Sequence, residues 1–389
     1  MKRSVIKRKL ARVEKALDKS IDKAEIPGAV VLARMPFEDE VLEHCCVRGH
    51  AVLQPERLPM TRATIFDLAS LTKPMATTTA ILLLVKEGAI ALDDPVSKVL
   101  PAFADREKDA VTLRQLLTHS SGLKPWRAFH ELMIQKERKT GERILGTAEG
   151  REWILDRVIR SALVHEPGEA AVYGDLDFIA LGAVVEAVTQ QSLDAFCETQ
   201  IFAPLGMQDT RFLPLPVDGS SSQSVLPPAL LRRIAATENC AWRDRIIWGE
   251  VHDPNASAMG GVAGHAGLFS TADDVMTFAR AFLDGWHGRS DLFPQALVRE
   301  FCTRQHLPED SDWAVGWDTP TVGASSSGTL FSPNSVGHLG FTGTSLWIDL
   351  EREAIVVLLT NRVHLIAKRS RFDLRPKVHD FIIDAFTSG

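Results

Sequence analysis

The alternation of apolar and polar positions predicts strands near both ends of the chain and helices between them. Residues 5–24 carry apolar side chains at helical spacing, which predicts an amphipathic helix. Residues 29–35 and 41–48 then predict two strands joined by a polar turn. The segment 126–203 is mostly helical in pattern, and residues 176–190 predict an apolar helix within it.

The C-terminal part of the chain returns to strand patterns. Residues 337–349 and 354–360 predict a hairpin. The second of these strands is apolar on both faces, which indicates a central position in a sheet. Helices are predicted at 271–283, before this hairpin, and at 375–386, after it.

This order of elements is explained by one sheet whose sequence is split by a helical insertion. About residues 1–95 and 260–389 would form an α/β lobe, and about residues 96–259 an all-helical lobe. A cleft between two lobes is a common place for a ligand site.

The central chemical feature is Ser70-Leu71-Thr72-Lys73 at the start of a long apolar helix. Residues three apart on a helix share one face, so Ser70 and Lys73 are expected to be in contact. Pro74 fits the first turn, where backbone amides lack helical partners and favour nearby negative charge. Burial lowers the pKa of a lysine, which can then take the proton of a serine hydroxyl. The pair therefore predicts a serine nucleophile with a lysine base.

The Ser-x-x-Lys spacing alone has little specificity. It recurs at Ser4/Lys7, Ser20/Lys23 and Ser121/Lys124. The first two pairs lie in the charged N-terminal helix, and the third follows a turn-like segment. Only Ser70 and Lys73 open an apolar helix with strand-like sequence beside it, so the context favours this pair.

Composition and charge exclude several classes of protein. A net charge of −6 over 389 residues gives no basic surface for nucleic acid. Five scattered cysteines without a Cys-x-x-Cys pair favour a reducing compartment. The N-terminus lacks the apolar stretch of a secretory signal, and the longest apolar run, 80–85, is too short to cross a bilayer. We therefore predict a cytoplasmic protein with no membrane span and no nucleic-acid partner.

The aromatic composition singles out one position. The chain has 18 Phe and 8 Trp but a single tyrosine, Tyr173. It follows the turn Glu166-Pro167-Gly168, which interrupts the helical part. A retained tyrosine in a chain that otherwise lacks this residue indicates a task for a phenol, although drift would also leave one tyrosine anywhere.

Three motifs occur in a defined order: Ser70-Leu71-Thr72-Lys73, Tyr173-Gly174-Asp175 and His338-Leu339-Gly340. Their order and separations resemble the serine β-lactamase and penicillin-binding-protein superfamily, above all its class C-like serine hydrolases and esterases. The resemblance covers residues 26–362. Supporting motifs lie at residues 92–96, 116–123, 267–274 and 337–345. The resemblance implies an α/β (α+β) fold with two lobes, in which an antiparallel sheet is flanked by helices and carries an inserted all-helical lobe.

The resemblance also implies a role for each matching residue. Ser70 would be the acylated nucleophile, and Lys73 its base or proton relay. Tyr173 would share the proton transfer and help to activate water for deacylation. The backbone amides of Ser70 and Phe341 would form an oxyanion hole. The positions against the substrate would be Asp175, His338 and Gly340.

Departures from the family motifs favour ester or amide substrates over lactams. Asp175 stands where the family often has Asn, and an ionised carboxylate cannot donate to an acyl carbonyl. His338 and Leu339 replace a lysine and a threonine that hold a penicillin carboxylate. The His-x-Gly form resembles esterases, amidases and D-aminopeptidases. We predict such an activity, with cell-wall-derived peptides as candidate substrates. A class C-type β-lactamase or a D-Ala-D-Ala carboxypeptidase is the alternative.

Simpler roles stay open for several of these residues. Asp175 would also serve as a cap for the helix from Leu176, and His338 as a strand histidine with a backbone partner. His119 and His265 are expected to order loops. One further group would line the cleft or else belong to a surface loop: Trp242, Arg243, His252 and Asp253.

Other classes of protein have weaker support. The segment 130–134 begins like a zinc-protease helix, but Ile134 stands where the second histidine is needed, so no metal is predicted. The glycine-rich segment 260–267 lacks the pattern of a dinucleotide site, no Gly-x-Ser-x-Gly is present, and no cofactor is predicted. A non-catalytic scaffold that binds peptidoglycan fragments is the second alternative, against which the intact Ser70 and Lys73 argue. The expected partner is a small-molecule or peptide substrate.

Overall fold

The computed structural model describes residues 3–38, 40–105, 108–323, 325–364 and 372–387. The α-helices are α1 Arg3–Asp22, α2 Thr79–Lys86, α3 Leu113–Leu117, α4 Phe129–Thr140, α5 Ala148–Ile159, α6 Leu176–Thr189, α7 Leu193–Cys197, α8 Ala203–Leu205, α9 Pro228–Leu231, α10 Pro254–Ala258, α11 Ala272–Trp286, α12 Gln295–Cys302 and α13 Leu374–Thr387. Short 3-10 helices lie at Ala69–Leu71, Val96–Lys98, Pro101–Ala104 and Ser222–Ser224, and π-helical turns at Lys73–Thr78 and Glu198–Phe202.

Six strands form the main sheet. The strands of the described residues are β1 Gly28–Phe37, β2 Glu40–Val52, β3 Leu58–Pro59, β4 Phe66–Asp67, β5 Arg211–Phe212, β6 Asn239–Cys240, β7 Arg245–Ile246, β8 Leu268–Ser270, β9 Ser335–Leu339, β10 Ser345–Asp349 and β11 Ala354–Thr360. The order in the main sheet is β3-β2-β1-β11-β10-β9, and every pairing is antiparallel. The predicted central strand, β11, therefore lies between β1 and β10, so the two ends of the chain share one sheet.

The two faces of the sheet bury alternate residues of each strand, because successive strand side chains point to opposite sides. On β11, Val356 and Leu358 pack in one cluster with α1 and α13. Ile355 and Val357 pack in a larger cluster with the residues of α2, α6 and α11. Burial on both faces explains why β11 is apolar throughout.

Most elements predicted from the pattern of the chain are confirmed. The helix predicted at 5–24 is α1, the helix at 176–190 is α6, and the strands at 29–35 and 41–48 are β1 and β2. The helices predicted at 271–283 and 375–386 are α11 and α13. The interval 96–259, expected to be all helical, also holds the short strands β5, β6 and β7. The lobe boundaries at about 95 and 260 stay a prediction.

One predicted strand is wrong. Residues 337–349 form two strands, β9 and β10, joined by a tight turn. The turn closes because the amide of Gly340 donates to the carbonyl of Thr344 and Gly343 adopts a φ of 102°. This turn carries Phe341 and so becomes part of the candidate site.

No helix among the described residues combines the length and the apolar character needed to cross a membrane.

Candidate active site

Ser70 lies in the 3-10 turn Ala69–Leu71, which joins strand β4 to the helical segment that ends in α2. The sequence predicted an ordinary helix start at this point. The structure instead has a π-helical turn at Lys73–Thr78 before the regular helix begins. Wide turns of this kind are frequent at functional sites. Ser70 is partly exposed, whereas Lys73 is fully buried.

The residue before Ser70, Ala69, has a positive φ, and a hydrogen bond to Asp67 holds its backbone in place. Ala69 has a φ of 48°, which is unfavourable for a residue with a Cβ atom. One carboxylate oxygen of Asp67 accepts a hydrogen bond from the Ala69 amide at 2.8 Å, and the other accepts from the His252 amide at 2.6 Å. Burial raises the pKa of Asp67, while these amide donors oppose that shift. Asp67 thus fixes the turn that presents Ser70.

Lys73 lies between Ser70 and Asp175. Its Nζ donates to the Ser70 Oγ at 3.1 Å, to an Asp175 oxygen at 2.8 Å and to the His265 carbonyl at 3.3 Å. Burial alone would lower the pKa of Lys73, but Asp175 and Tyr173 beside it outweigh burial and raise that pKa above its ordinary value. The charges around Lys73 thus favour its ammonium form, whereas the sequence led us to expect burial to lower this pKa; the role of Lys73 as the base stays a prediction.

Tyr173 stands at the mouth of the site with its ring beside Lys73. The ring centroid lies 4.9 Å from the Lys73 Nζ, and the ring stacks on Trp313 at 5.5 Å. His119 contacts the edge of the tyrosine ring at 4.8 Å, and its Nδ1 accepts a hydrogen bond from the Gly174 amide. The tyrosine loop is thus held by neighbouring rings and by one backbone contact.

His119 acts as the loop-ordering residue that the sequence led us to expect. It is buried, and its pKa is lowered to about 3 by burial and by the nearby Lys73. Its Nδ1 also lies 3.3 Å from a carboxylate oxygen of Asp177, to which Ser121 donates a short hydrogen bond. Burial raises the pKa of Asp177 to about 8. Both pKa shifts favour the uncharged forms of His119 and Asp177, and His119 in turn contacts the loop that carries Tyr173.

Asp175 pairs with Lys73 through its side chain. It occupies the N-cap position of α6, but its side chain makes no capping hydrogen bond. Asp175 also lies near Asp253 and His265, with ligand atoms of the three within 4.8 Å of one another. The Lys73 ammonium, 2.8 Å from an oxygen of Asp175, would repel a metal ion bound to this group. We therefore interpret the group as an ion-pair network.

His265 has a place in this network beyond loop ordering. Its Nε2 lies 2.9 Å from an oxygen of Asp253, and its carbonyl accepts from Lys73. Burial opposes the charge of Asp253, but His265 outweighs burial and holds the pKa of that carboxyl well below its ordinary value. Asp253 also caps α10 by accepting from the Ala256 amide at 2.7 Å.

The third motif lies on β9 and the turn after it. The His338 Nδ1 donates to the Leu339 carbonyl at 2.8 Å, while its buried Nε2 has no partner among the described residues. Burial and the charge of Lys73 lower the pKa of His338 well below its ordinary value. His338 is therefore a neutral imidazole with one open acceptor. A backbone partner was one of its expected roles, and it is present.

Gly340 and Phe341 lie directly against the segment that precedes Ser70. A Cβ on Gly340 would come within 2.4 Å of the Leu68 carbonyl, so only glycine allows this approach. Thr342 and Thr344 donate to the carbonyls of residues 67 and 68, which ties the turn to the Ser70 segment. The Phe341 ring is 51% exposed and stacks on His252 at 5.5 Å.

The structure thus brings together all three motifs that the sequence singled out. Sequence reasoning gave no role to Asp67 or Trp313. Asp67 had a signal, since an acidic residue three positions before the candidate nucleophile is suited to bond the intervening amides. Trp313 had none, because it lies 243 positions after Ser70 in the sequence and no spacing rule connects residues so far apart. Arg243, left open above, is buried and donates to the carbonyls of residues 251 and 252.

Comparisons with known proteins agree with this architecture. The Beta-lactamase family model matches residues 11–375. A protein of Escherichia coli (strain K12), provisionally named D-alanyl-D-alanine carboxypeptidase, is 36% identical over 340 residues, which cover 81% of this chain and 73% of that protein. A protein of Salmonella enteritidis PT4 (strain P125109) with the same name is 34% identical over 330 residues, which cover 78% of this chain and 71% of that protein.

Solved structures show the same fold. EstCE1, described as a hydrolase with promiscuous acyltransferase activity, aligns with a TM-score of 0.72 at 22% identity, covering 97% of this chain and 99% of that one. Simvastatin synthase (LovD) from Aspergillus terreus aligns with a TM-score of 0.68 at 21% identity, covering 98% and 99% of the two chains. A penicillin-binding-protein homologue from Caulobacter crescentus gives 0.69 at 20% identity, covering 98% and 97%. With the family model and these relatives in agreement, the chain belongs to the Beta-lactamase family and is a serine hydrolase of that family.

Proposed function

We propose that this protein hydrolyses esters or amides through an acyl-enzyme on Ser70. The observation that carries the proposal is the position of the Lys73 ammonium, 3.1 Å from the Ser70 Oγ, 2.8 Å from Asp175 and beside the Tyr173 ring. A buried charge held at a serine hydroxyl stabilises the negative oxygen that forms when the proton leaves. The arrangement therefore suits a nucleophilic serine.

Tyr173 is the base in this proposal, because an ammonium has no free electron pair to accept a proton. The Lys73 charge stabilises negative charge on the Tyr173 oxygen, which then removes the Ser70 proton. The Ser70 Oγ attacks the substrate carbonyl, and a tetrahedral intermediate forms. Tyr173 returns the proton to the leaving oxygen or nitrogen as the carbonyl–leaving-group bond breaks. In this mechanism Lys73 gives electrostatic support to the oxygens that exchange the proton.

The amides of Ser70 and Phe341 are proposed as the oxyanion hole. The support is the pair of threonine hydroxyl bonds that hold the 340–344 turn against residues 67 and 68. Donors fixed in this way need no rearrangement when the oxyanion forms, and loss of one such donor costs about 3 kcal/mol in comparable hydrolases. In deacylation Tyr173 takes a proton from water as the water attacks the acyl carbonyl. The bond between the carbonyl and the Ser70 Oγ then breaks, Tyr173 returns the proton to that oxygen, and the acid leaves.

The neutral His338 supports a substrate without a carboxylate beside the scissile bond. A buried, uncharged imidazole cannot neutralise a substrate anion. Its open Nε2 can instead accept a hydrogen bond from an N–H or O–H of the leaving group. We therefore favour neutral esters and amides, with esterase, amidase or D-aminopeptidase-like activity.

A D-Ala-D-Ala carboxypeptidase is the second candidate, and the names of the relatives favour it. Its substrate ends in a carboxylate, which needs a cation near the leaving group. A β-lactamase would have the same need. A cytoplasmic location is part of the proposal as well, supported by five cysteines that are all free.

The test is to compare initial rates on p-nitrophenyl acetate, a chromogenic cephalosporin and a peptide ending in D-Ala-D-Ala, for the wild type and Ser70→Ala. Fast ester turnover that is lost in the variant is the expected result. Fast peptide or cephalosporin turnover would instead select the second candidate or a β-lactamase. Ester turnover that survives in Ser70→Ala would overturn the proposal. Binding of peptidoglycan fragments without turnover would favour a non-catalytic scaffold.

A further inference from the structure

Contacts through neighbouring residues link three of the exposed aromatic side chains of the described structure. The chain has 18 Phe and 8 Trp, and nearly all are buried or half-buried. Those that stand exposed among the described residues are Trp126, Tyr173, Trp242 and Phe341, with 48%, 42%, 36% and 51% of their surface accessible. Tyr173 belongs to the catalytic group proposed above. The side chains of the other three have no role so far.

The rings of Trp126 and Trp242 both contact His130, and we call this group of three rings the ledge. His130 stands between them, 6.4 Å from the Trp126 ring and 5.5 Å from the Trp242 ring. The residue before Trp126 accepts the Asp175 amide at 2.7 Å through its carbonyl, so the ledge begins next to the partner of Lys73.

Phe341 continues the same surface from the other end. Its ring stacks on His252, whose amide is bonded to Asp67 at 2.6 Å and whose carbonyl accepts from Arg243 at 2.8 Å. The Arg243 guanidinium in turn lies 4.9 Å from the Trp242 ring. The contacts from Trp126 to Phe341 therefore run along one edge of the Ser70 site, from Asp175 to the residue of the proposed oxyanion hole.

Several polar groups behind this edge are already bonded within the protein. Arg243 donates to two backbone carbonyls and lies 3.3 Å from the Ser257 hydroxyl. Asn255 donates to the Arg127 carbonyl and accepts from the His130 amide. Glu238 lies 3.3 Å from the His252 ring. A sugar or a peptide bound here would bury polar groups against apolar rings with few hydrogen-bond partners, which costs free energy. An apolar group has no hydrogen bonds with water to give up, so it binds without that cost.

The two sides of the site divide the substrate. Tyr173 protonates the leaving group, and the rings around it are His119, Trp313 and His338. Phe341 contacts none of these rings in the described structure and stacks on His252 instead. With Tyr173 as the group that protonates the leaving group, as proposed above, the Tyr173 side would receive the leaving group and the edge formed by Trp126, Trp242 and Phe341 would be left for the acyl chain.

We propose that Trp126, Trp242 and Phe341 bind the acyl part of the substrate and select a bulky apolar acyl group, aryl or long aliphatic. This inference rests on the proposed function and names its substrate class. Aromatic faces offer a large contact area at low entropic cost, and one methylene in such a pocket changes kcat/KM by about tenfold or more.

The test uses p-nitrophenyl esters with one leaving group and different acyl chains. The wild type is expected to prefer phenylacetate and hexanoate over acetate by about tenfold or more in kcat/KM. Trp242→Ala and Trp126→Ala are expected to lose most of that preference, mainly through a higher KM for the phenylacetate and hexanoate esters. Trp242→Phe should restore much of it. Leu330→Ala, an exposed apolar residue near α13, is the matched control and should behave as the wild type.

Several outcomes overturn the inference, and they differ from failure of the proposed function. Equal wild-type rates on all acyl chains, all lost in Ser70→Ala, would leave the acyl-enzyme mechanism intact and remove the acyl selection. A full preference for long chains in both tryptophan variants would do the same. Inhibition of the wild type, but not of Trp242→Ala, by an N-acetylated chito-oligosaccharide would assign the edge to sugars. Ester turnover unaffected by Ser70→Ala would instead overturn the proposed function itself.

Discussion

The ammonium of Lys73 lies 2.8 Å from a carboxylate oxygen of Asp175, and the lysine is fully buried. Burying a lone lysine would favour its neutral form, but a carboxylate at this distance reverses the preference. Asp175 therefore stabilises the positive charge of Lys73 next to the Ser70 hydroxyl. In the proposed mechanism this relationship makes Tyr173, and not Lys73, the base.

Asp175→Asn should change the pH profile of the enzyme. Loss of the carboxylate removes the main group that raises the pKa of Lys73, so this pKa should fall. If the ammonium is the active form, the alkaline limb of kcat/KM moves to lower pH and activity at neutral pH drops. A gain in activity at neutral pH would mean that neutral Lys73 is the base. Asp273→Asn, at an exposed ion pair with Arg62, is the control.

Tyr173→Phe should reduce turnover by about 100-fold or more, because it removes the group that carries the proton in both steps. The phenyl ring keeps the contacts with Trp313 and His119, so the fold should be unaffected. Burst kinetics with a p-nitrophenyl ester would separate acylation from deacylation. A fast steady state in this variant would exclude the phenol as base.

His338→Lys should improve acylation by lactams that carry a carboxylate. A cation at this position attracts the anion, and about 1 kcal/mol of attraction corresponds to roughly a fivefold gain. The nearby Lys73 disfavours a second ammonium here, so the gain should depend on the bound carboxylate. His338→Gln, which adds no charge, is the control. Equal penicillin acylation by the two variants would contradict our interpretation of the third motif.

Asp67→Asn should damage the turn that presents Ser70. The amide can still accept from Ala69, but its NH2 group would face the His252 amide, which needs an acceptor. One unpaired buried donor costs about 1–3 kcal/mol, so thermal unfolding should move to lower temperature and kcat should fall. Wild-type kcat with Asp67→Asn would show that Ala69 keeps its conformation without this carboxylate.

The stability of the protein should fall as the pH drops below about 6.5. Burial lowers the pKa of His119 and of His379 to about 3, so the unfolded chain binds more protons than the folded chain between pH 6.5 and pH 3. Each histidine contributes up to about 1.4 kcal/mol per pH unit in that range.

His379→Gln tests this dependence away from the active site. The amide can keep the contacts with the Ser345 hydroxyl and the Ser326 carbonyl but does not titrate. Chemical unfolding at pH 7 and pH 5 should show a smaller loss of stability in the variant than in the wild type. An identical loss in both proteins would exclude His379 as a source of the acid sensitivity.

The local patterns of the sequence determined most of the secondary structure and the three motifs of the site. Helix α1 and strand β11 follow directly from apolar periodicity, because burial of one face or of both imposes a fixed spacing. The sequence pattern did not predict the turn at Gly340. Apolar residues lie on both sides of it, so the pattern is typical of one uninterrupted strand. The spacing of Ser70 and Lys73 predicted their contact, because a helical turn sets that distance whatever the rest of the chain does.

The tertiary structure decided the charge of the site. Asp175 is 102 residues from Lys73, and Asp253 is 12 residues from His265, so no local pattern could show that they share one network. The pKa of Lys73 depends on the balance between burial and the charges packed around it, and that balance exists only in the folded chain. The sequence by itself determined which groups are available for catalysis. Packing determined which of them is charged, because electrostatic energy depends on distance through space and not along the chain.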